Sequence, residues 1–412
     1  MSNKHHIVHA PPYVHQFGCI GSACPDTCCN GWRVDVDKAT YKKIKALPVS
    51  AERIKTHFRV TPGGGRDNFA YIDVGPQKKC PIQTDGGLCS IQLDHGPDML
   101  SKTCRFFPRK IAAAGERYEM HMTLSCPEAA RLCLDSDEPY ELSALSLDLP
   151  KGKDLPSQGG FTVKQGSEGG PLTVLYSVLR NLIIDVSSKD EIPLWELIVL
   201  VGFVCEKLQA LVTTPDQISV QSVEGVISNA RQTIFDGSFH AQIARALPES
   251  KVLGMKAKCV EVLSQERINM AATTSYYGPL FGLVSQAFEG YNAFLDANAS
   301  QHAKWAGGNQ VVEKVLRNYL RNQIGVEHFP VLVGIDFSEQ WRSIVVRYAL
   351  VSFYLNGLAV YHGDKFSIHH AITLVQSFSK AIDHNSQFLP RVDQRLAEAG
   401  LFGVAALGIL AR

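Results

Sequence analysis

The sequence predicts a mainly α protein: a cysteine-rich metal-cluster domain with short strands, followed by an all-α helical domain. Three observations carry this. Nine of the eleven cysteines fall in the first 133 residues, among stretches rich in glycine and proline. A polar run follows them. Beyond Leu172 the apolar residues recur at helical spacing with few strand signals.

Size and charge set bounds. A chain of 412 residues can form two or three domains with cores of their own. Lysine and arginine number 41 against 40 aspartates and glutamates, so no global charge draws the chain to nucleic acid or to an anionic membrane surface. The apolar run Ile192 to Cys205 is too short to span a bilayer and contains Glu196. The opening Met-Ser-Asn-Lys-His-His has none of the features of a signal peptide. The expectation is a cytoplasmic protein without nucleic-acid or membrane partners. In a reducing cytosol, clustered cysteines ligate metals more often than they form disulfides.

Taken in order, residues 1–134 form the cysteine domain, with extended pieces such as Phe69 to Val74 and only brief helical patterns. His5, His6, His9 and His15 precede the cysteines and read as solvated side chains of a mobile terminus. Gly63-Gly64-Gly65 reads as a flexible loop. Residues 135–171, with Gln158-Gly-Gly160 and the glycines of 166–170, read as a polar linker. The all-α domain, 172–412, carries helical periodicity over 172–186, 193–211, 223–234, 252–270, 276–297, 309–324, 339–361 and 366–384. Pro193 suits the first turn of its helix, and Ser338 suits an N-cap. Trp341, Tyr348, Phe353, Tyr354 and Tyr361 read as an interior stripe. His369, His370 and His384 read as satisfied histidines without a ligand partner.

The cysteines carry the chemistry. They open as Cys19-x4-Cys24-x3-Cys28-Cys29 and continue through Cys80, Cys89, Cys104 and Cys126. Adjacent cysteines such as Cys28 and Cys29 point their side chains apart, which suits a cluster or two centres better than one small tetrahedral zinc. Glycine near Cys89 and proline after Cys80 and Cys126 let amides approach sulfur and fix ligand loops. Soft thiolates suit both zinc and iron–sulfur clusters, and the pattern favours iron–sulfur. Four thiolates hold one [4Fe-4S] centre, so eight make two centres or leave some in supporting roles. Cys133, Cys205 and Cys259 lie in apolar helical patterns and read as small hydrophobes.

The run Phe17 to Asp37, with Gly87-Leu-Cys-Ser-Ile-Gln92, Thr103-Cys-Arg-Phe-Phe-Pro-Arg109 and Leu124-Ser-Cys-Pro-Glu-Ala-Ala-Arg131, resembles the flagellin lysine N-methylases. The same region is similar to the broader family of zinc- or iron-chelating proteins with a CxxxCxxCC-type motif. The first intervals here are wider than that family's, so Cys19 is the least closely matched ligand. The resemblance continues more faintly through Asn318-Tyr-Leu-Arg-Asn322 and Ala381-Ile-Asp-His-Asn385. It implies methyl transfer from S-adenosylmethionine to flagellin lysines by an enzyme carrying a cysteine-bound iron–sulfur cluster.

Such a transfer needs a neutral lysine amine aligned behind the methyl group, and a group to take its proton. Tyr71, Asp73, Tyr118, Glu119 and Glu128 are candidates, each with a structural alternative: strand packing for Tyr71 and Asp73, and helix capping for Glu128. Arg105 and Arg109, beside Cys104, suit either the charge of the cluster or the donor's carboxylate. Familiar routes to the donor are absent: Gly63 to Gly65 follow no strand, and the cysteine triplet of radical enzymes breaks at Gly31. The chemistry alone also leaves open a non-enzymatic iron- or zinc-binding module or an electron-transfer protein.

Overall fold

The computed structural model describes residues 4–30, 33–48, 51–75, 79–115, 117–149, 160–162, 170–213, 218–246, 252, 255–256, 260, 278–296, 309–330, 336–383, 388–398 and 403–412. Cys259, His384 and most of the helix expected over 252–270 lie outside these residues.

The N-terminal segment is a strand. In β1 (Lys4–Ala10) Val8 and Ala10 are buried while Ile7 faces out, the alternation of a half-buried strand. It pairs antiparallel with β7 (Ser143–Leu149) and parallel with β6 (Arg117–Met122). β6 in turn pairs with β5 (Arg109–Gly115), and β5 pairs with β8 (Gly160–Thr162), giving the order β7-β1-β6-β5-β8. The N-terminal histidines therefore belong to a sheet or its exit turn rather than to a mobile terminus. The stretch read as a linker supplies both edge strands.

A second sheet, β2 (Val34–Val36), β4 (Ala70–Ile72) and β3 (Phe58–Val60), carries the extended piece expected near Tyr71. The glycine triplet joins β3 to β4 as a built turn, which corrects the flexible-loop expectation and the expectation that no strand precedes it; a strand, not a helix, follows it. The Gly64 amide donates to the Thr61 carbonyl at 3.0 Å, and a Cβ on Gly64 would stand 2.6 Å from the Asn68 carbonyl oxygen. Only glycine fits there.

Short helices surround these sheets: α1 (Pro12–His15), α2 (Lys38–Lys45), α3 (Glu52–Lys55), α4 (Ser90–His95), α5 (Lys102–Phe106) and α6 (Pro127–Leu134). The helical part contains α7 (Pro171–Ser187), α8 (Leu194–Thr213), α9 (Val220–Phe235), α10 (Ser238–Ala246), α11 (Gly278–Asp296), α12 (Gln310–Val326), α13 (Phe337–His362), α14 (Ile368–Ile382), α15 (Phe388–Glu398) and α16 (Gly403–Ala411). The cap of α13 is Asp336, whose carboxylate accepts from the Ser338 and Glu339 amides. That displaces Ser338 from the expected role, because an aspartate two residues earlier satisfies two orphan donors at once.

α13 is long and apolar enough to cross a membrane by composition, but 78% of its apolar window is buried inside the fold. It is the central core helix, packed by α8, α11, α12, α14 and α16. Trp341, Tyr348, Phe353 and Tyr354 face inward along it, while Tyr361, at 44% exposure, leaves the expected interior stripe at the helix end. α11 crosses α13 where a Cβ on Gly357 would stand 2.2 Å from the Ala287 carbonyl oxygen.

Among the described residues the buried side chains form two clusters. The larger joins β1, β5, β6 and α6 to the helical part, and the smaller gathers around β2, β3 and β4. Cys29, Cys80, Cys89 and Cys104 belong to or pack on the smaller one, and Cys126 packs on the larger. Cys133 and Cys205 are buried in the larger core, as their apolar surroundings in the sequence suggest.

Candidate functional site

The eight early cysteines come from loops and helix starts of both clusters. Cys19 and Cys24 flank the single turn Gly21–Ala23. The Cys80 amide donates to the Cys29 carbonyl at 3.1 Å, which brings two distant loops together. Cys89 and Cys126 occupy the N-cap positions of α4 and α6, and the Cys104 amide donates to Ser101 Oγ at 3.2 Å in the first turn of α5. Amides of Ile91 and Gln92 reach the Cys89 sulfur, and those of Glu128 and Ala129 reach Cys126. Helix N-termini stabilise thiolates in this way.

The sulfurs form one connected set. Cys29 hydrogen-bonds with both Cys28 and Cys80, and these bonds hold its thiol well below the ordinary range. Cys89 and Cys104 lie within electrostatic reach of Cys29, Cys126 lies within reach of Cys28, and Cys19 and Cys24 extend the set from Cys126. Burial pushes Cys104 up to about 12 and Cys126 up to about 11. All eight are thiols rather than disulfides. Among the described residues no three cysteine, histidine or carboxylate side chains stand close enough to grip a single metal ion. The donors are soft thiolates, a chemistry that suits zinc and iron–sulfur centres alike.

Positive charge lines the set. Arg109 is largely buried with its guanidinium 5.0 Å from the Phe17 ring, beside Cys126 and Cys19. Lys380 of α14 ion-pairs with Asp26, donates to the Thr27 carbonyl at 2.9 Å and faces Cys29 and Cys24. Gln376, one turn earlier, donates to Asp26 Oδ2 at 2.9 Å and to the Ser125 carbonyl at 3.0 Å. No spacing in the sequence pointed to Lys380 or Gln376. Arg105 spends its guanidinium on Asp98.

The candidate proton acceptors fall in separate places. Arg33 stacks 4.3 Å from the Tyr71 ring, Asp73 pairs with Arg59 at 3.6 Å on the surface, and Glu128 pairs with Arg131 at 2.7 Å. Tyr118 is partly exposed on β6. Glu119, at 0% exposure, ion-pairs with Arg180 at 2.9 Å and accepts from the Tyr176 hydroxyl at 3.0 Å and from Arg117 at 3.0 Å. Burial alone would raise it, but Arg180, with His121 and Arg117, holds its carboxyl well below the usual range. Glu119 is a weak base that ties β6 to α7.

A second buried polar group lies where the two fainter matching stretches meet. Arg317, Asn318 and Arg321 point one way along α12 and satisfy carbonyls of Ser187, Asp190, Ile192, Leu134 and Ser136. Tyr319 points the other way, at 0% exposure, toward Asp383 and Arg347. Arg347 Nε stands 3.6 Å from Asp383 Oδ1, and Glu327 stands 3.5 Å from Arg347 Nη2. Among the described residues the Tyr319 hydroxyl, Arg347 Nε and Asp383 Oδ1 find no hydrogen-bond partner. Burial pushes Asp383 up to about 6, against the pull of Arg347.

The opposite face of α12 floors a cleft of about 930 Å³, with α13 beside it and the α7–α8 turn and the end of α6 at its rim. Among its lining residues are Trp195, Glu313, Tyr348 and Asn356.

Residues 180–410 match the family model described as the FliB lysine N-methylase C-terminal domain. The chain is 24% identical over 396 residues to a lysine-N-methylase of Salmonella choleraesuis (strain SC-B67), covering 93% of this chain and 94% of that protein. It is 24% identical over 406 residues to a lysine-N-methylase of Salmonella typhimurium (strain LT2), with the same shares covered. It is 32% identical over 137 residues to the flagellar biosynthetic protein FliU of Salmonella muenchen, covering 32% of this chain and 81% of that one. No solved structure matches the chain.

Proposed function

The chain belongs to the FliB lysine N-methylase family, whose model takes in more than half of its length, and we propose that it methylates lysines of flagellin with S-adenosylmethionine as donor. In the same reading it carries a thiolate-bound iron–sulfur centre. The observation that carries the activity is the match along nearly the whole chain to lysine-N-methylases. The flagellar name of the third relative supports flagellin as substrate.

The chemistry is a polar displacement. The ε-ammonium first loses a proton, and the amine lone pair then attacks the methyl carbon. The methyl–sulfur bond breaks, a neutral thioether leaves, and the product stays cationic as a methylammonium, the one proton lost by the ε-ammonium having passed to solvent. Alignment and exclusion of water supply most of the acceleration.

The cluster reading rests on the donor set. Cys19, Cys24, Cys28, Cys29, Cys80, Cys89, Cys104 and Cys126 would hold it, with Arg109 and Lys380 offsetting its negative charge. When bound, such a centre supplies cross-links between loops that are otherwise far apart in the chain. A displacement of this kind moves no electrons through the protein, so its place here is structural.

The test is mass spectrometry of flagellin incubated with anaerobically purified protein and S-adenosylmethionine. A ladder of added methyl masses on lysines, absent without the donor, is expected. Unmodified flagellin under those conditions overturns the reading.

A further inference from the structure

The cleft of about 930 Å³ on the outer face of α12 lies within the size range of small-molecule sites, about 300–1,000 Å³. Its charges are unevenly spent. Arg317 is consumed by the carbonyls of Ser187, Asp190 and Ile192, and Lys314 pairs with Asp135 at 3.1 Å and Asp137 at 2.8 Å. Glu313, one helical position away, is half-buried and accepts no hydrogen bond and no ion pair from the described residues. Burial raises its carboxyl above the usual range, with Arg317 opposing. A carboxylate left partly desolvated without a partner gains by meeting a cation.

Two further groups point to an organic cation rather than a metal ion. Tyr348, at 3% exposure, lines the cleft with a hydroxyl that bonds to no group among the described residues. Trp195 adds an aromatic ring that already stacks against a cation, the Arg412 guanidinium at 4.7 Å. The other charges that line the cleft are spent: Asp137 pairs with Lys314, Asp190 with Arg317, Glu138 accepts from Gln16, and Arg321 donates to Asn318 and Ser187. The carboxylate, ring and neutral groups that are left suit a soft, partly apolar cation, whereas a hard metal ion would require several unspent oxygen ligands at once.

We propose that this cleft is the methyl-donor site and takes a sulfonium nucleoside, with Glu313 and Trp195 as the partners of the sulfonium and Tyr348 and Asn356 meeting the donor's polar groups. The inference rests on the methyltransferase reading above. A lysine ammonium shares the cationic chemistry, but its slender aliphatic chain would leave most of the volume to water, so size selects the nucleoside.

Calorimetric titration of the full chain separates the sources with three probes: S-adenosylmethionine, the uncharged S-adenosylhomocysteine, and an acetyl-lysine-amide peptide with a free ε-amine. Glu313→Gln is expected to weaken S-adenosylmethionine by roughly tenfold or more, as for loss of one partner of a desolvated charge pair, and to change S-adenosylhomocysteine by less than about twofold. Tyr348→Phe is expected to weaken both nucleosides by a few-fold. Equal S-adenosylmethionine affinity in wild type and Glu313→Gln overturns the inference, as does a loss confined to the lysine peptide. Donor-dependent flagellin methylation that is indifferent to Glu313→Gln overturns the cleft and spares the function. Glu313-dependent donor binding without methylation does the reverse.

Discussion

Asp383 is a carboxyl that the fold makes costly to ionise. Its side chain is 6% exposed, Arg347 approaches only to 3.6 Å, and Glu327, Lys110, Tyr319 and Ser379 face it from the neighbouring elements. Burial raises it to about 6, above its unfolded value of about 3.9. The native state therefore binds the proton more tightly, so the stability this group contributes is present below about pH 4 and lost as pH rises through about 6. Asp383→Asn should raise the melting temperature at pH 8, by the equivalent of about 1–3 kcal/mol, and flatten the fall in stability between pH 4 and 7. Thermal melts across that range check it, and an equal loss of stability at pH 5 and pH 8 would contradict it. A gain in stability with a loss of activity would mark Asp383 as a residue kept for function. At this scale the thiols were legible in the sequence because sulfur chemistry travels with the residue type. Asp383 was not, because an aspartate becomes unusual only through what surrounds it. The sole hint was the matching stretch that contains it.

At the scale of elements, α11 and α13 cross backbone to backbone at Gly357, where an added Cβ would lie 2.2 Å from the Ala287 carbonyl oxygen. Gly357→Ala should force the helices apart and cost about 1–3 kcal/mol or more, seen as a lower midpoint in thermal or denaturant unfolding. An unchanged midpoint would mean that the crossing is looser than described. The long helices were readable because each buries a continuous face: the periodicity over 309–324 falls on α12 and its N-cap Asn309, and that over 339–361 lies within α13. The edge strands β7 and β8 were not: β7 does alternate leucine with polar residues but sits in a stretch rich in Asp, Ser and Pro, β8 is three residues long, and their pairing partners lie far away in the chain. Strand formation of that kind depends on tertiary context more than on local preference. The Asp336 cap and the glycine turn before β4 were missed for a related reason, since each needs the actual backbone path.

On the scale of the whole molecule, the two buried clusters meet where the thiols gather. Cys29, Cys80, Cys89 and Cys104 belong to or pack on one cluster, and Cys126 packs on the other. α14 braces the junction through Gln376 and Lys380. Ions bound there would join the small core to the large one, so removing them should loosen β2, β3 and β4 while leaving the helical part intact. The most direct measurement is iron and acid-labile sulfide analysis, with the visible absorption spectrum, of the full chain purified without oxygen. The account predicts a brown protein with stoichiometric iron and sulfide, whose broad absorption is lost in Cys29→Ser and Cys104→Ser. A colourless protein holding zinc or no metal, or one whose early cysteines are cystines, would contradict it.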